Sequence, residues 1–186
     1  DSWDVSQVES MDRMFRDATS FNQSVGSWDI SQVTDMYEMF ADATSFNQPL
    51  DTWDVSTVKY MRSMFSEATS FNQPIDSWDV SQVQSMSTMF RGATYFNQPL
   101  GDWTISQVES MYAMFKSAYN FNQSIDSWDV SQVGSMSEMF SNATSFNQCL
   151  STWAEKTADT VSTYFMLEGT DCPNKGYSFL FNKGYE

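Results

Sequence analysis

The sequence has no histidine at all, which removes the side chain that most often moves protons in catalysis. It also has no Gly-rich loop that could cradle a phosphate, and no nucleophile with a base beside it. Its aspartates recur in equivalent positions, so nothing in the sequence gives two carboxyl groups different pKa values for acid–base work. We therefore expect this chain not to be an enzyme.

Basic residues and long apolar runs are also scarce. Nine Lys and Arg oppose 24 Asp and Glu, giving a formal net charge of −15. So acidic a surface repels phosphate backbones and anionic lipid, and we expect no nucleic-acid partner. No apolar run approaches the roughly 18 residues of a membrane span, and no signal peptide opens the sequence, so we expect no membrane insertion. Because the chain starts in mid-pattern, we expect it to be truncated at its N-terminus.

Only two cysteines occur, Cys149 and Cys172, both near the C-terminal end. A disulfide between them would close a loop of 22 residues and stabilise the fold by about 3 kcal/mol. Such a staple at one end of the chain favours an oxidising, extracellular compartment. Two buried thiols are the alternative.

What the sequence has in abundance is a 25-residue repeat. Each copy carries a Trp, a Met-x-x-Met-Phe run and a second Phe followed by Asn-Gln, with no insertions in between. This periodicity predicts a domain of six stacked repeats over residues 1–152, followed by a degenerate repeat and C-terminal cap over 153–186. The tryptophans that mark the period are Trp3, Trp28, Trp53, Trp78, Trp103, Trp128 and Trp153.

Within one repeat the pattern predicts a short strand and then a short helix. Trp28 and Ile30 point to one side of the strand, and Ser31 stands where a helix N-cap belongs. Apolar residues then follow at helical spacing, at Val33, Met36, Met39/Phe40 and Ala43. We therefore predict an α/β repeat solenoid, leucine-rich-repeat-like, with one short parallel strand and one short helix per 25-residue turn. The residues expected to have structural roles are Trp28, Met36, Met39, Phe40, Phe46 and Asn47.

Two of these features have an alternative interpretation or a specific role. Met-x-x-Met can bind soft metals such as Cu(I), but its spacing beside Phe and Val favours a core position, where Met fills irregular gaps. Asn47 and its equivalents, each directly after a core Phe, are expected to form an internal ladder of hydrogen bonds to loop backbone groups.

A row of aspartates is predicted to face outward on the sheet side of the stack. We interpret each carboxylate as the acceptor of an Asx-type turn, bonded to the Ser two residues later. Ca²⁺ held between turns is the alternative, with Asp76 and Asp79 as weak candidate ligands; we expect no other cofactor. These tentative ligand-facing residues are Asp4, Asp29, Asp54, Asp79 and Asp129.

A row of Thr-Ser pairs, from Thr19-Ser20 to Thr144-Ser145, follows the predicted helix. Regularly spaced threonines could match a repeating lattice such as ice. Tyr119-Asn120 interrupts the row, however, and Thr-Ser after a helix is ordinary chain-reversal chemistry.

The last turn departs from the repeat. Trp153 keeps the register, and Ala158, Val161 and Tyr164-Phe165 are predicted to occupy the helix core positions. The repeat is then broken by Gly169, Pro173, Gly176 and Gly184, as expected for a polar cap that shields the open end of a solenoid.

The motif Trp-Asp-Val-Ser-x-Val-x-x-Met-x-x-Met-Phe-x-x-Ala-x-x-Phe-Asn-Gln resembles the 25-residue repeat of the BspA-like leucine-rich-repeat surface proteins. The resemblance covers residues 1 to about 150. It implies a leucine-rich-repeat-like solenoid, secretion or surface display, and adhesion-type roles. It implies no particular ligand.

The predicted sheet face is nearly uniform, whereas the predicted helix positions vary freely. A uniform face suits a repetitive ligand such as a glycan, and a varied one suits an irregular protein surface. We therefore expect an extracellular or cell-surface module whose sheet face binds an extracellular protein or glycan. The alternative is a structural spacer or assembly scaffold, stabilised by Ca²⁺ if the aspartates bind ions.

Overall fold

The computed structural model describes residues 3–172 and contains almost no regular secondary structure in that range. The one helix, α1, comprises Trp153–Lys156, and no strand is formed among the described residues. The predicted α/β solenoid with a strand and a helix in every repeat is therefore wrong. Each 25-residue unit is instead a series of turns, which we number from unit 1 (residues 1–25) to unit 6 (residues 126–150).

Successive units lie side by side and are joined by single parallel β-bridges. These bridges link one residue in each unit to the residue 25 positions later, from Ser10 to Asp35 and onward. One bridge per step is too short to count as a strand, so no sheet forms within residues 3–172. The bridged residues are Ser10, Asp35, Tyr60, Ser85, Ser110, Ser135 and Ser162.

Alternate backbone N–H groups hold each unit to the next, as units 2 and 3 illustrate. The N–H groups of Met36 and Phe40 donate to the Tyr60 and Met64 carbonyls, each at 2.9 Å. Between them Glu38 also donates to the next unit, to the Arg62 carbonyl at 3.0 Å, whereas Met39 donates within its own unit, to the Met36 carbonyl three residues back at 3.2 Å. In an α-helix every N–H would donate four residues back along its own segment. Every second backbone N–H of residues 36–42 is thus satisfied by the neighbouring unit.

This alternation requires backbone in the left-handed region at two positions of every unit. Glu38 has φ 52° and Asp42 has φ 59°, and the equivalent residues elsewhere behave alike. Glycine fills the second position only at Gly92, φ 68°, and Gly169, φ 71°. A non-glycine residue held this way costs of the order of 1–3 kcal/mol. The hydrogen bonds and the buried side chains of the stack offset that cost.

The core is a set of continuous columns that run through all the units. Within one unit the two Phe rings stack with centroids 3.9 to 4.1 Å apart. Equivalent rings of neighbouring units lie 5.4 to 5.7 Å apart in one column and 5.8 to 6.1 Å apart in the other. Met36, Met39, Phe40 and Phe46 are fully buried between these layers. Burying one Phe side chain stabilises by roughly 1.5–3 kcal/mol.

Polar side chains also bond to backbone groups 25 or 28 residues away in the sequence. The Asn47 N–H donates to the Asn22 side-chain oxygen at 2.9 Å, and the same bond recurs along the Asn column. The indole N–H of Trp53 donates to the Val25 carbonyl at 3.1 Å, and Trp78, Trp103 and Trp128 make the equivalent bond. Trp28, closer to the open end of the stack, is only half-buried.

The N-terminal side of unit 1 is not covered by any described residue. Trp3 is 59% exposed and Met14 is 37% exposed, although the interior equivalents Trp78 and Met39 are buried. The difference arises because each interior unit packs between two neighbours and unit 1 packs against one.

The closing segment, residues 151–172, repeats the pattern with a shift of two residues. The last bridge joins Ser135 to Ser162, 27 positions apart, and α1 lies in the intervening stretch. Because of this shift, Met166 takes a core position and is 3% exposed, whereas Tyr164 and Phe165 are 59% and 47% exposed. The prediction that Tyr164 and Phe165 occupy core positions is therefore wrong. Pro173, Gly176 and Gly184 of the predicted cap lie outside the described residues.

The disulfide predicted between Cys149 and Cys172 is not formed in this structure. Cys149 is exposed, whereas Cys172 is buried with its Sγ 3.4 Å from the Gln148 carbonyl oxygen. In the described part of the chain no helix has the length and apolar character that a membrane span needs.

Candidate functional site: three solvent-facing surfaces

Stacking turns each unit into three successive segments with different surface chemistry. We call them the acidic face (residues 26–32 and equivalents), the variable face (34–42 and equivalents) and the neutral band (43–50 and equivalents). Equivalent segments of adjacent units are joined by hydrogen bonds, so each forms a surface along the stack.

The predicted aspartate row lies on the acidic face. The Ser56 N–H donates to the Asp54 carboxylate at 3.1 Å, and the Ser56 hydroxyl donates to the same oxygen at 2.6 Å. The hydrogen bond from the Ser56 hydroxyl, followed by that from its N–H, lowers the pKa of Asp54. The same backbone bond is made in the other units by Asp4, Asp29, Asp79 and Asp129. Each carboxylate is thus engaged in closing its own turn, as in an Asx turn.

The acidic face does not gather these carboxylates into a metal site. Among residues 3–172, no three or more Asp, Glu or Cys side chains lie close enough together to hold an ion. Asp76 and Asp79, the predicted weak candidates for Ca²⁺, fall in the same unit, and Asp79 accepts from the Ser81 N–H at 3.0 Å. Calcium typically takes 6–8 oxygen ligands, and the pair supplies a small part of that number.

The variable face carries most of the differences between units. Every Lys and Arg of units 1–6 lies on it, and so do the exposed side chains of Tyr60, 46% exposed, and Tyr112, 41% exposed. The Arg13 guanidinium lies 4.8 Å from the centre of the Tyr37 ring. The six basic residues are Arg13, Arg16, Lys59, Arg62, Arg91 and Lys116.

Ion pairs on the variable face connect neighbouring units. Arg13 and Arg16 of unit 1 both contact the Glu38 carboxylate of unit 2. Lys116 of unit 5 contacts Glu138 of unit 6. The hydrogen bond from Lys116 lowers the pKa of Glu138. Pairs this exposed stabilise by about 1 kcal/mol at most. They order the surface more than they stabilise the fold.

Two basic residues of this face, Lys59 and Arg62, are exposed and form no ion pair with any described residue. They flank the exposed Tyr60. In a chain with so many carboxylates, unpaired cations beside an aromatic ring are available to a partner. Tyr and Arg are the residue types that most often anchor protein interfaces.

The neutral band contains no charged residue in any of the six units, in a chain of net charge −15. Its surface consists of Thr, Ser, Asn, Gln and Pro side chains, and the Thr44 hydroxyl donates to the Thr19 carbonyl at 3.2 Å. Three exposed residues depart from this composition: Cys149, and Tyr95 and Tyr119, which are 59% and 44% exposed. The sequence-based prediction placed the candidate ligand-facing residues on the aspartate row and considered only the Thr-Ser row of this band, not its lack of charge. The sequence itself carries the signal for this band, because residues 43–50 and their equivalents are uncharged in all six units.

Comparison with known proteins gives one family. No curated protein and no solved structure matches the chain. The family model described as "Mycoplasma protein of unknown function, DUF285" matches residues 1–98 and again residues 73–175. Together these matches cover most of the 186 residues, including all six units. The chain therefore belongs to this repeat family, the Mycoplasma proteins of unknown function DUF285.

Proposed function

We propose that this chain is a non-enzymatic binding module of a secreted or cell-surface protein, with an adhesion-type role. Its partner is an extracellular protein or glycan. The observation that carries the proposal is the contrast between the interior and the variable face. Residues that stack, such as Phe40 and Asn47, recur in every unit, whereas the exposed residues at 34–42 and its equivalents differ from unit to unit.

Stacking alone does not require these differences. Any polar residue would serve at a position that only faces water, yet Tyr60 and Tyr112 present large rings there. The exposed part of such a ring gains nothing from the fold, since its apolar surface stays in water. Of the two, only the hydroxyl of Tyr112 has a partner within residues 3–172, the Glu138 carboxylate at 3.1 Å. The same ring becomes favourable when a partner covers it, which is why aromatic and Arg side chains are enriched at interfaces.

The resemblance of the repeat to BspA-like surface proteins supports display outside the cell. It does not extend to the leucine-rich-repeat fold, because the units lack the strand that defines such a repeat. The net charge of −15 supports a partner other than nucleic acid or anionic lipid. The absence of histidine and the equivalence of the aspartates support a role without catalysis.

A spacer with no ligand of its own is the second candidate. The continuous ladder from Ser10 to Ser162 favours it, since one unbroken series of bridges makes a stiff element that could hold another domain at a distance.

Binding to an array of immobilised extracellular proteins and glycans separates the two functions. The binding module predicts at least one hit at micromolar concentration. It also predicts that Tyr60→Ser or Tyr112→Ser weakens binding to a protein hit, while Asp29→Asn on the acidic face does not. A chain that binds nothing at this concentration would be a spacer.

A further inference from the structure

We infer that the neutral band is a glycan-binding surface, and that Tyr95 and Tyr119 form the platform on which a neutral sugar stacks. This inference rests on the proposed binding function and names its ligand class and site. The backbone places the two tyrosines together: the Asn120 N–H donates to the Thr94 carbonyl at 3.2 Å. That bond sets Tyr119-Asn120 of unit 5 directly beside Thr94-Tyr95 of unit 4.

Stacking of the units does not account for these tyrosines. At the position of Tyr119, Thr44 and Thr69 each use their hydroxyl to donate to the Thr carbonyl of the preceding unit, at 3.2 and 3.3 Å. Tyr119 gives up the short hydroxyl that makes this bond and exposes an aromatic ring instead. Tyr95 likewise replaces a Ser that units 1, 2, 3 and 6 carry. At the adjacent positions of Tyr95 and Tyr119 the repeat thus lacks the Ser and Thr that most other units carry there.

The charge next to the band also changes along the stack. The last position of the variable face, next to the neutral band, is acidic in units 1, 2 and 3, where it is Asp17, Asp42 and Glu67. In units 4, 5 and 6 it is Gly92, Ser117 and Asn142, so from the first tyrosine onward this position carries no carboxylate. The nearest charges are Arg91 and Lys116, one residue earlier in units 4 and 5.

The chemistry of this surface fits a neutral sugar. One face of a pyranose ring presents C–H groups that pack against an aromatic ring, while its rim presents hydroxyls that need donors and acceptors. The exposed Asn120 side chain and the neighbouring Thr94 offer both beside the tyrosines. A sialylated or sulfated glycan would find no cation within the band, and the chain's net charge of −15 would repel it.

The test uses the whole chain on an array of neutral oligosaccharides, including β-glucans, mannans and galactosides, together with sialylated and sulfated ones. The best hit is then titrated by calorimetry against the parent and against the Tyr95→Ser/Tyr119→Thr double variant. Both substitutions restore residues that other units carry at these positions, so the variant should melt at the parent's temperature or higher. Tyr164→Ser, which removes an exposed tyrosine from the closing segment, outside the three surfaces, is the matched control.

We expect a neutral oligosaccharide to bind, and to bind the double variant at least tenfold more weakly, while Tyr164→Ser retains the parent's affinity. Equal binding by the double variant overturns the site. Binding of anionic glycans alone, or of proteins alone, overturns the ligand class and leaves the proposed binding function standing. A chain that binds nothing on the protein and glycan arrays loses both.

Discussion

Phenylalanine in place of Trp128 should destabilise the fold, whereas the same substitution at Trp153 should cost much less. Both rings are buried, at 1% and 0% exposed. The indole N–H of Trp128 donates to the Leu100 carbonyl at 2.9 Å. The indole N–H of Trp153 has no hydrogen-bond partner among residues 3–172. The two substitutions therefore remove similar apolar surface. One also loses a stabilising hydrogen bond, whereas the other removes a destabilising unpaired donor.

The magnitude follows from those polar terms. Trp128→Phe loses a hydrogen bond that contributes about 0.5–1.5 kcal/mol net. Trp153→Phe removes a buried donor whose lack of a partner costs about 1–3 kcal/mol. Because the loss of packing nearly cancels between the two sites, Trp128→Phe should be less stable than Trp153→Phe by about 2 kcal/mol. For a chain of this length that separates the melting temperatures by roughly 4–8 °C.

Urea unfolding followed by the fluorescence of the six remaining tryptophans measures the difference. Trp103→Phe is the internal control and should match Trp128→Phe, since its indole donates to the Ile75 carbonyl at 3.0 Å. Trp153→Ala tests whether the closing segment unfolds together with the six units. If it does, this substitution should lower the free energy of unfolding by about 3–5 kcal/mol. If Trp153→Phe is as costly as Trp128→Phe, the unsatisfied indole is not a feature of the folded protein.

Three further predictions concern ions, thiols and pH. EDTA should leave the melting temperature unchanged, and a drop would restore Asp76 and Asp79 as calcium ligands. Iodoacetamide should modify Cys149 in the native protein and Cys172 only after unfolding; a mass lower by two hydrogens with neither thiol modified would show the disulfide. Asp54→Ala should lower the free energy of unfolding at pH 7. Because folding lowers the pKa of Asp54, its contribution is present above the unfolded pKa of about 3.9 and is lost as the pH falls through the folded one. The difference in the free energy of unfolding between variant and parent should therefore narrow in acid. A difference that is constant down to pH 2 would contradict a stabilising role of the ionised Asp54 carboxylate.

The stacking period and the identity of the inner residues follow from the sequence alone. A 25-residue spacing of Trp, Met and Phe can only be satisfied if equivalent residues of successive units lie side by side. The buried residues Met36, Met39, Phe40 and Phe46 are those that recur. The hydrogen bond of Asp54 to the Ser two residues later also follows from local turn chemistry.

The path of the chain within a unit cannot be predicted from the sequence, because the spacing of its apolar residues fits two backbone conformations. Apolar residues spaced at 33, 36, 39/40 and 43 fit a helix, but they fit equally a chain that turns back every three residues and bonds alternately to its neighbour. The two patterns differ at the left-handed residues, Glu38 and Asp42 in unit 2. Since in units 1–6 these positions hold Arg, Glu, Asp, Asn, Ser, Thr or Ala and only once Gly, no glycine pattern marks them in the sequence.

The candidate surfaces can be predicted from the sequence only in part. The aspartates stand out because they recur, but recurrence in this chain marks a structural role, as the Asp79–Ser81 hydrogen bond illustrates. The tyrosines of the neutral band break the repeat, and a break carries more information about function than a copy. In the sequence Tyr119 is only an interruption of the Thr row, because its exposure depends on how the units stack.

The central claim is that the units are held together by alternate backbone hydrogen bonds rather than by helices and strands. Scalar couplings across hydrogen bonds, measured by NMR between amide nitrogens and carbonyl carbons, test it directly. The structure predicts a coupling from the nitrogen of Phe40 to the carbonyl carbon of Met64, in the next unit. A coupling from Phe40 to the carbonyl carbon of Met36, four residues back as in an α-helix, would contradict it.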